Sequence, residues 1–166
     1  MKKTVAILLC CMLCLSLLSG CNSSGPVVSH TSQDYVDAIT GARTDDDNTY
    51  RPLVTPENVN DNPALLNFLG VPAEDMEEYA FSVSLMMVHA YGVAVIKPVE
   101  GKETSVSDTL KAFVEALEKS MEGYLADQYA IAKAAIVKKL PSGEVMLVMC
   151  ADSSTVAASI EKALAA

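Results

Sequence analysis

Apolar and polar positions fall into blocks of differing period along this chain. Val5 to Leu18 is a nearly unbroken apolar run of fourteen residues, and Asn22 to Gln33 (NSSGPVVSHTSQ) is small and mostly polar. From Asp34 to Asp61 the pattern is mixed: a short apolar element, Tyr35-Val-Asp-Ala-Ile39, precedes Asp45-Asp46-Asp47, Pro52 and Pro56. This predicts a loosely ordered segment, packed on a domain through Tyr35, Ile39, Leu53 and Val54. The signals then sharpen. Pro63 stands at a first helical position, Leu65, Leu66, Phe68 and Leu69 supply an apolar face, and Gly70 stops the helix. After Pro72, the acids Glu74, Asp75, Glu77 and Glu78 suit a helix N-terminus, where negative charge is favoured.

Tyr79 to Val88 alternates, with Phe81, Val83, Leu85 and Met87 on one side and Ser82, Ser84, Met86 and Val88 on the other. Tyr91 to Lys97 is a second β-rich run, so the two predict a hairpin turning near His89-Ala90. The clearest helix follows: Ser105 or Ser107 caps it, and Leu110, Phe113, Val114, Leu117, Met121 and Tyr124 recur at three- and four-residue spacing. Ala135–Leu140 and Val145–Cys150, joined by Pro141-Ser142-Gly143, predict a second hairpin. Asp152 or Ser153 caps a last helix that carries Val156, Ile160, Ala163 and Leu164.

The order strand-strand-helix-strand-strand-helix predicts an α+β fold, with a four-stranded, mainly antiparallel sheet and the two long helices on one face. The other face carries Met86, Val88, Ala94 and Ile96 or their neighbours, and both sets are partly apolar. An antiparallel sheet normally turns a polar face to water. Residues 34–69 are the favoured cover for this one; a second copy or a ligand is the alternative.

The N-terminal block carries the firmest functional reading. Lys2 and Lys3, the apolar run and the ending Leu18-Ser19-Gly20-Cys21 form an export signal. The run is short of the roughly 20 residues that cross a bilayer as a helix. LSGC resembles the lipobox of bacterial lipoproteins, which implies cleavage before Cys21 and acylation of its thiol, palmitate included. On that resemblance the chain divides into a signal peptide (1–20), a lipidated cysteine with a flexible spacer (21–33), the loosely ordered segment (34–61) and a globular α+β domain (62–166). It works on the outer face of the cell membrane, held there by lipid on Cys21.

Cleavage removes Cys10, Cys11 and Cys14, leaving Cys21 and Cys150, so an intramolecular disulfide and a Cys-based zinc site are both excluded. Cys150 closes an apolar run and reads as a small buried hydrophobe. The full chain has 12 basic and 21 acidic residues; losing two lysines and no acid leaves 10 against 21, a net charge of −11. Such a surface repels nucleic acid and anionic headgroups. The absence of Trp argues against a sugar-stacking surface.

Candidate chemistry is sparse. There is no Gly-x-Ser-x-Gly elbow, and the only histidines are His30 in the spacer and His89 at a hairpin. Asp45-Asp46-Asp47 fails the calcium-loop spacing, which would put Tyr50 at the required Gly and Pro56 at the required Glu. The acidic run reads as a solvated loop, and the methionines as core filler rather than a copper site. No metal and no cofactor is expected. The best polar constellation is Asp127 between Tyr124 and Tyr129, with His89 as a remote addition; packing of the tyrosines beside a helix-ending acid is its plainer explanation.

Glu77-Glu-Tyr-Ala80, the run Met86-Met-Val-His-Ala-Tyr91 leading into Val93-Ala-Val-Ile-Lys97, and Tyr124 with Asp127-Gln-Tyr129 resemble a family of uncharacterised lipoproteins from gram-positive anaerobes, known only as domain of unknown function 4358. The resemblance covers about Asn62 to Leu164. It implies a fold and a location but no reaction. The family pattern often carries an acid after the Ala-Tyr pair, where this chain has Gly92. The expectation is a non-catalytic, membrane-anchored binding or accessory module, meeting a protein partner or a second copy through the apolar sheet face. A small extracytoplasmic enzyme, or the ligand-binding component of a transporter, is the alternative.

Overall fold

The computed structural model describes residues 29–165. The expected export signal, Cys21 and residues 22–28 of the expected spacer lie outside the described residues. Among the described residues the first helix, α1 (Ser32–Ala42), begins inside the stretch expected to be spacer. Thr31 and Asp34 form a reciprocal capping box: Asp34 Oδ2 accepts from the Thr31 backbone N–H at 2.7 Å, and Thr31 Oγ1 accepts from that of Asp34 at 3.4 Å. Tyr35, Ala38 and Ile39, at helical spacing, then fall on one buried face. Segment 34–61 is therefore not loosely ordered. It continues into α2 (Asp45–Tyr50), whose first turn holds Asp45, Asp46 and Asp47 under a Thr44 cap. The acidic trio sits where a helix N-terminus favours negative charge, not in a loop.

Helix α3 (Pro63–Leu69) matches its sequence signals, starting on Pro63 and ending on Gly70 at φ 80°. A 3₁₀ turn (Ala73–Asp75) leads into β1 (Met76–Val83). Glu77 and Glu78, expected beside a helix N-terminus, belong to this strand instead: Glu77 pairs with Lys97 at 3.1 Å, and Glu78 accepts from the Ser32 backbone N–H at 2.9 Å. Strand β2 (Gly92–Pro98) returns antiparallel, with Phe81 opposite Ala94. Helix α4 (Glu103–Met121), a short α5 (Ala126–Lys133), the hairpin of β3 (Ile136–Lys139) and β4 (Val145–Met149), and α6 (Ser153–Leu164) complete the chain.

The sheet has the order β1-β2-β4-β3, every pair antiparallel. Its two faces carry separate cores. On one, Phe81, Ala94, Ile96 and Leu147 pack against α4 through Leu110, Phe113 and Met121, with Val54 and Leu69 beside them. On the other, Ala80, Val93, Val95 and Met146 pack against Tyr35 and Ile39 of α1 and Val156 and Ile160 of α6. The two long helices thus lie on opposite faces, not on one. The reason is in the strands: all five residues of β4 are buried, so an apolar side chain faces each way at every step and both faces need a cover. Segment 34–69 does serve as cover, but it is divided, with α1 on the α6 face and Val54 and α3 on the α4 face.

The outward edge of β1 is occupied by its own chain. The Tyr79 N–H donates to Ser32 Oγ at 3.0 Å, and Phe81 exchanges both backbone bonds with Val54, at 2.7 and 3.0 Å. At the other edge β3 is short and carries Lys138 and Lys139, the former paired with Glu161 at 2.7 Å.

The strands run between two ends of the molecule. At one lie His30, the Pro141–Gly143 turn, the start of α4 and the close of α6. At the other lie the β1–β2 connection, the end of β4 and helices α2 and α5. Gln128 of α5 accepts from the Ala90 backbone N–H at 2.9 Å, and the Arg51 guanidinium lies 3.9 Å over the Tyr91 ring.

Candidate functional site

Residues 84–91 were expected to extend β1 and open a hairpin. They form a loop, because the alternation runs out of partners: β1 ends at Val83, paired with Gly92. The loop is held in shape. The Ser84 N–H donates to the Tyr91 carbonyl at 3.2 Å, the His89 N–H to the Met86 carbonyl at 2.9 Å, and Ser84 Oγ accepts from the Met86 N–H at 3.2 Å. With Ala90 bonded to Gln128, this leaves Leu85, Met86, Met87 and Val88 pointing outward, each about half exposed (46–55%). The Met86–Val88 set does not face the sheet core. Tyr50 and Tyr124 are more exposed still, at 79% and 66%.

Tyr124 follows α4, whose 19 residues begin at the His30 end. At about 1.5 Å per residue they reach roughly 28 Å, to the opposite end of the strands. Tyr50 adjoins Arg51, which stacks on Tyr91 at that same end. Of the seven exposed large hydrophobic residues among the described ones, six gather there, and only Val99 lies at the His30 end.

The sequence-predicted constellation also lies at this loop end. Asp127 is exposed in the first turn of α5, and the Gln128 side-chain amide, donating at 3.1 Å, holds its carboxyl below the usual range. Tyr129 packs partly on the core with the Lys133 ammonium 5.5 Å from its ring centroid. His89 is half-buried in the loop. Gln128 brings α5 against the loop, but among the described residues no side-chain hydrogen bond joins Tyr124, Asp127, Tyr129 and His89.

A more developed polar cluster lies at the opposite end, formed by His30 of the expected spacer, Tyr35 of segment 34–61, Ser142 of the expected turn and Glu144 beside it. Glu144, 1% exposed, accepts from His30 Nδ1 at 2.8 Å, from the Tyr35 hydroxyl at 3.1 Å and from Ser142 Oγ. With Glu144 ionised, Nδ1 is the donor. Burial would raise the Glu144 carboxyl, but the bonds from Ser142, His30 and Tyr35 outweigh it and hold the group below its ordinary value. Burial first, and then the Glu144 charge, push the Tyr35 phenol up.

His30 also lines an open hollow of about 600 Å³, with Asp34, Asp37, Ser159 and Leu164 around it. A carboxylate that orients a histidine through Nδ1 is half of an acid–base arrangement. Among the described residues the ring is bonded only through Nδ1. What the geometry achieves is attachment: it fixes the entry of the chain to the β3–β4 turn, 114 residues away.

Two signals in the sequence pointed here. Thr31-Ser-Gln-Asp34 has capping-box spacing, and Glu144 is a lone charge at the root of an apolar strand, where it needs partners. Cys150 is half-buried and free, its thiol pushed up by burial, as a small interior hydrophobe should be. Among the described residues no group of three or more His, Cys, Asp or Glu side chains is placed to hold a metal ion.

Gly92 faces α4. A Cβ there would lie 3.3 Å from the Phe113 ring and 3.4 Å from Leu147. The position is one of close approach between sheet and helix.

No curated protein and no solved structure matches the chain. One family does, over residues 54–164, a span that includes the sheet, α3, α4 and α6 but leaves out α1 and α2. The chain belongs to the family described as Domain of unknown function (DUF4358).

Proposed function

We propose that this chain is a membrane-anchored extracytoplasmic lipoprotein acting as a non-catalytic binding or accessory module. The anchor would be lipid on Cys21, following the resemblance of Leu18-Ser19-Gly20-Cys21 to a lipobox. The observation that carries the reading is the fixing of His30 to Glu144 at 2.8 Å beside the Thr31 cap. A tether needs a firm attachment to the domain it holds, and this one is buried, charged and braced by Tyr35 and Ser142. From Cys21 to His30 the chain spans at most about 31 Å at ~3.4 Å per residue, so the domain would stand close to the bilayer.

Metabolic labelling with an alkyne-bearing fatty acid tests the anchor. The label is expected on the parent chain in the membrane fraction and absent from Cys21→Ala, which appears in the soluble fraction. Equal labelling of the two chains would refute it.

A small extracytoplasmic enzyme is the second reading, favoured by the Glu144-oriented His30 beside an open hollow. It predicts turnover of ester or amide substrates that is lost in His30→Asn. Turnover that survives this change would remove that reading.

A further inference from the structure

We propose that the end of the domain carrying the Leu85–Val88 loop is a docking surface for a protein partner, one presenting an apolar hollow rimmed by Lys and Arg. The assignment deepens the reading of the chain as an anchored binding module and rests on it. Large apolar side chains in a soluble domain are usually scattered over its surface, and a contiguous group of them marks an interaction site. Here the group is also presented. The turn bonds of Ser84 and His89, and the Gln128–Ala90 bond, hold the loop so that its apolar side chains project. Two adjacent methionines give such a surface adaptable, polarizable contacts.

The choice of partner follows from charge. Asp45, Asp46, Asp127 and Asp152 are exposed at this end, and Asp47 lies beside them. Ser82 Oγ donates to the Arg51 carbonyl at 3.3 Å and the Cys150 N–H to Ser153 Oγ at 3.0 Å, which places the end of α2 and the start of α6 around the same rim. The two arginines nearby are already engaged, Arg51 with Asp47 at 2.8 Å and the Tyr91 ring, Arg43 with Asn48 at 2.6 Å and the Tyr91 hydroxyl, and the exposed Lys119 and Lys133 of this end are outnumbered by its acids. An apolar centre within an acidic rim fits an apolar hollow within a basic one. A second copy would bring an identical acidic rim, and anionic headgroups would be repelled. The loop end also lies across the length of the strands from His30, facing away from where the tether enters.

The test uses the full chain in isolated membranes, with a photoreactive benzophenone amino acid replacing Met86 in one version and Val99 in another. The expected result is an adduct to a different polypeptide from position 86 and none from position 99. That adduct should fall about five-fold in Asp45→Asn/Asp46→Asn. It should also fall as salt rises from about 0.1 to about 1 M, which shortens the Debye length from about 10 to about 3 Å. Mass spectrometry should map it to a site rich in Lys or Arg around apolar residues. An adduct to a second copy, an adduct to lipid, an adduct insensitive to salt and to the Asp changes, equal adducts from both positions, or no adduct would each overturn the proposal. Anchoring is read separately, from fractionation of Cys21→Ala, so the two readings fail independently.

Discussion

His30 Nδ1 and Glu144 Oε1 lie 2.8 Å apart, joining the first described residues to the root of the β3–β4 hairpin. The pair is buried, and the Glu144 carboxylate also accepts from Tyr35 and Ser142. Glu144→Ala removes the buried acceptor and leaves the His30, Tyr35 and Ser142 donors without it. The expected loss is about 3 kcal/mol of stability, read from denaturant midpoints at neutral pH. A loss below about 0.5 kcal/mol would mean that water satisfies the cluster.

The same group sets an acid limit. Its folded pKa lies below its ordinary value of 4.5. The ionised form therefore stabilises the fold above that value, and the contribution disappears as pH falls through the folded pKa. Unfolding free energy measured from about pH 6 down to about pH 3 should decline in the parent and decline less in Glu144→Gln. Parallel curves would assign the acid sensitivity to other carboxylates.

Ile39 lies fully buried between α1 and the sheet. Ile39→Ala should cost about 2–5 kcal/mol, as core truncations do, and should do so within one cooperative transition. Near-neutral behaviour, or a separate early transition, would show that α1 is an appendage and not part of the core.

Gly92 tests how closely α4 approaches the sheet. With Phe113 3.3 Å from the site of a Cβ, Gly92→Asp must displace the ring and bury a carboxylate. The expected destabilisation is about 3 kcal/mol or more, and the matching Gly92→Ala change should cost less. A tolerated Asp, seen as an unchanged melting temperature, would mean that the strand rotates to present it to water.

Leu85→Ser/Met87→Ser should leave stability within about 0.5 kcal/mol, because both side chains are half exposed. The variant separates presentation from folding: it should lower binding of a hydrophobic dye at neutral pH while the thermal transition stays in place. A large fall in melting temperature would show that the loop contributes to the core.

What could be read in the sequence was whatever is local. Pro63 and Gly70 bracket α3, the three- and four-residue spacing of Leu110, Phe113, Leu117 and Met121 marks α4, and Pro141-Ser142-Gly143 marks the second hairpin. The sides on which helices pack were not local. Val145 to Met149 is apolar at every position, so its pattern gives no inside or outside, and α4 and α6 could be put on one face when they occupy two. Leu85 to Val88 continued the alternation of β1, but the strand stops where Gly92 pairs with Val83. The His30–Glu144 pair spans 114 positions and has no spacing signature at all. The capping spacing of Thr31 and Asp34 is local and legible, but the residues around it have the composition of a spacer.

Ser32 and Val54 have a consequence for how copies of this chain coexist. By taking the outward N–H of Tyr79 and both outward groups of Phe81, they leave β1 little edge with which to template another strand. The opposite edge is only four residues long and lysine-bearing. A domain closed in this way can be crowded to high local concentration without its sheets joining edge to edge. Loss of the Ser32 hydroxyl should therefore show first as a lower threshold for fibrous aggregation, before it shows as a loss of fold.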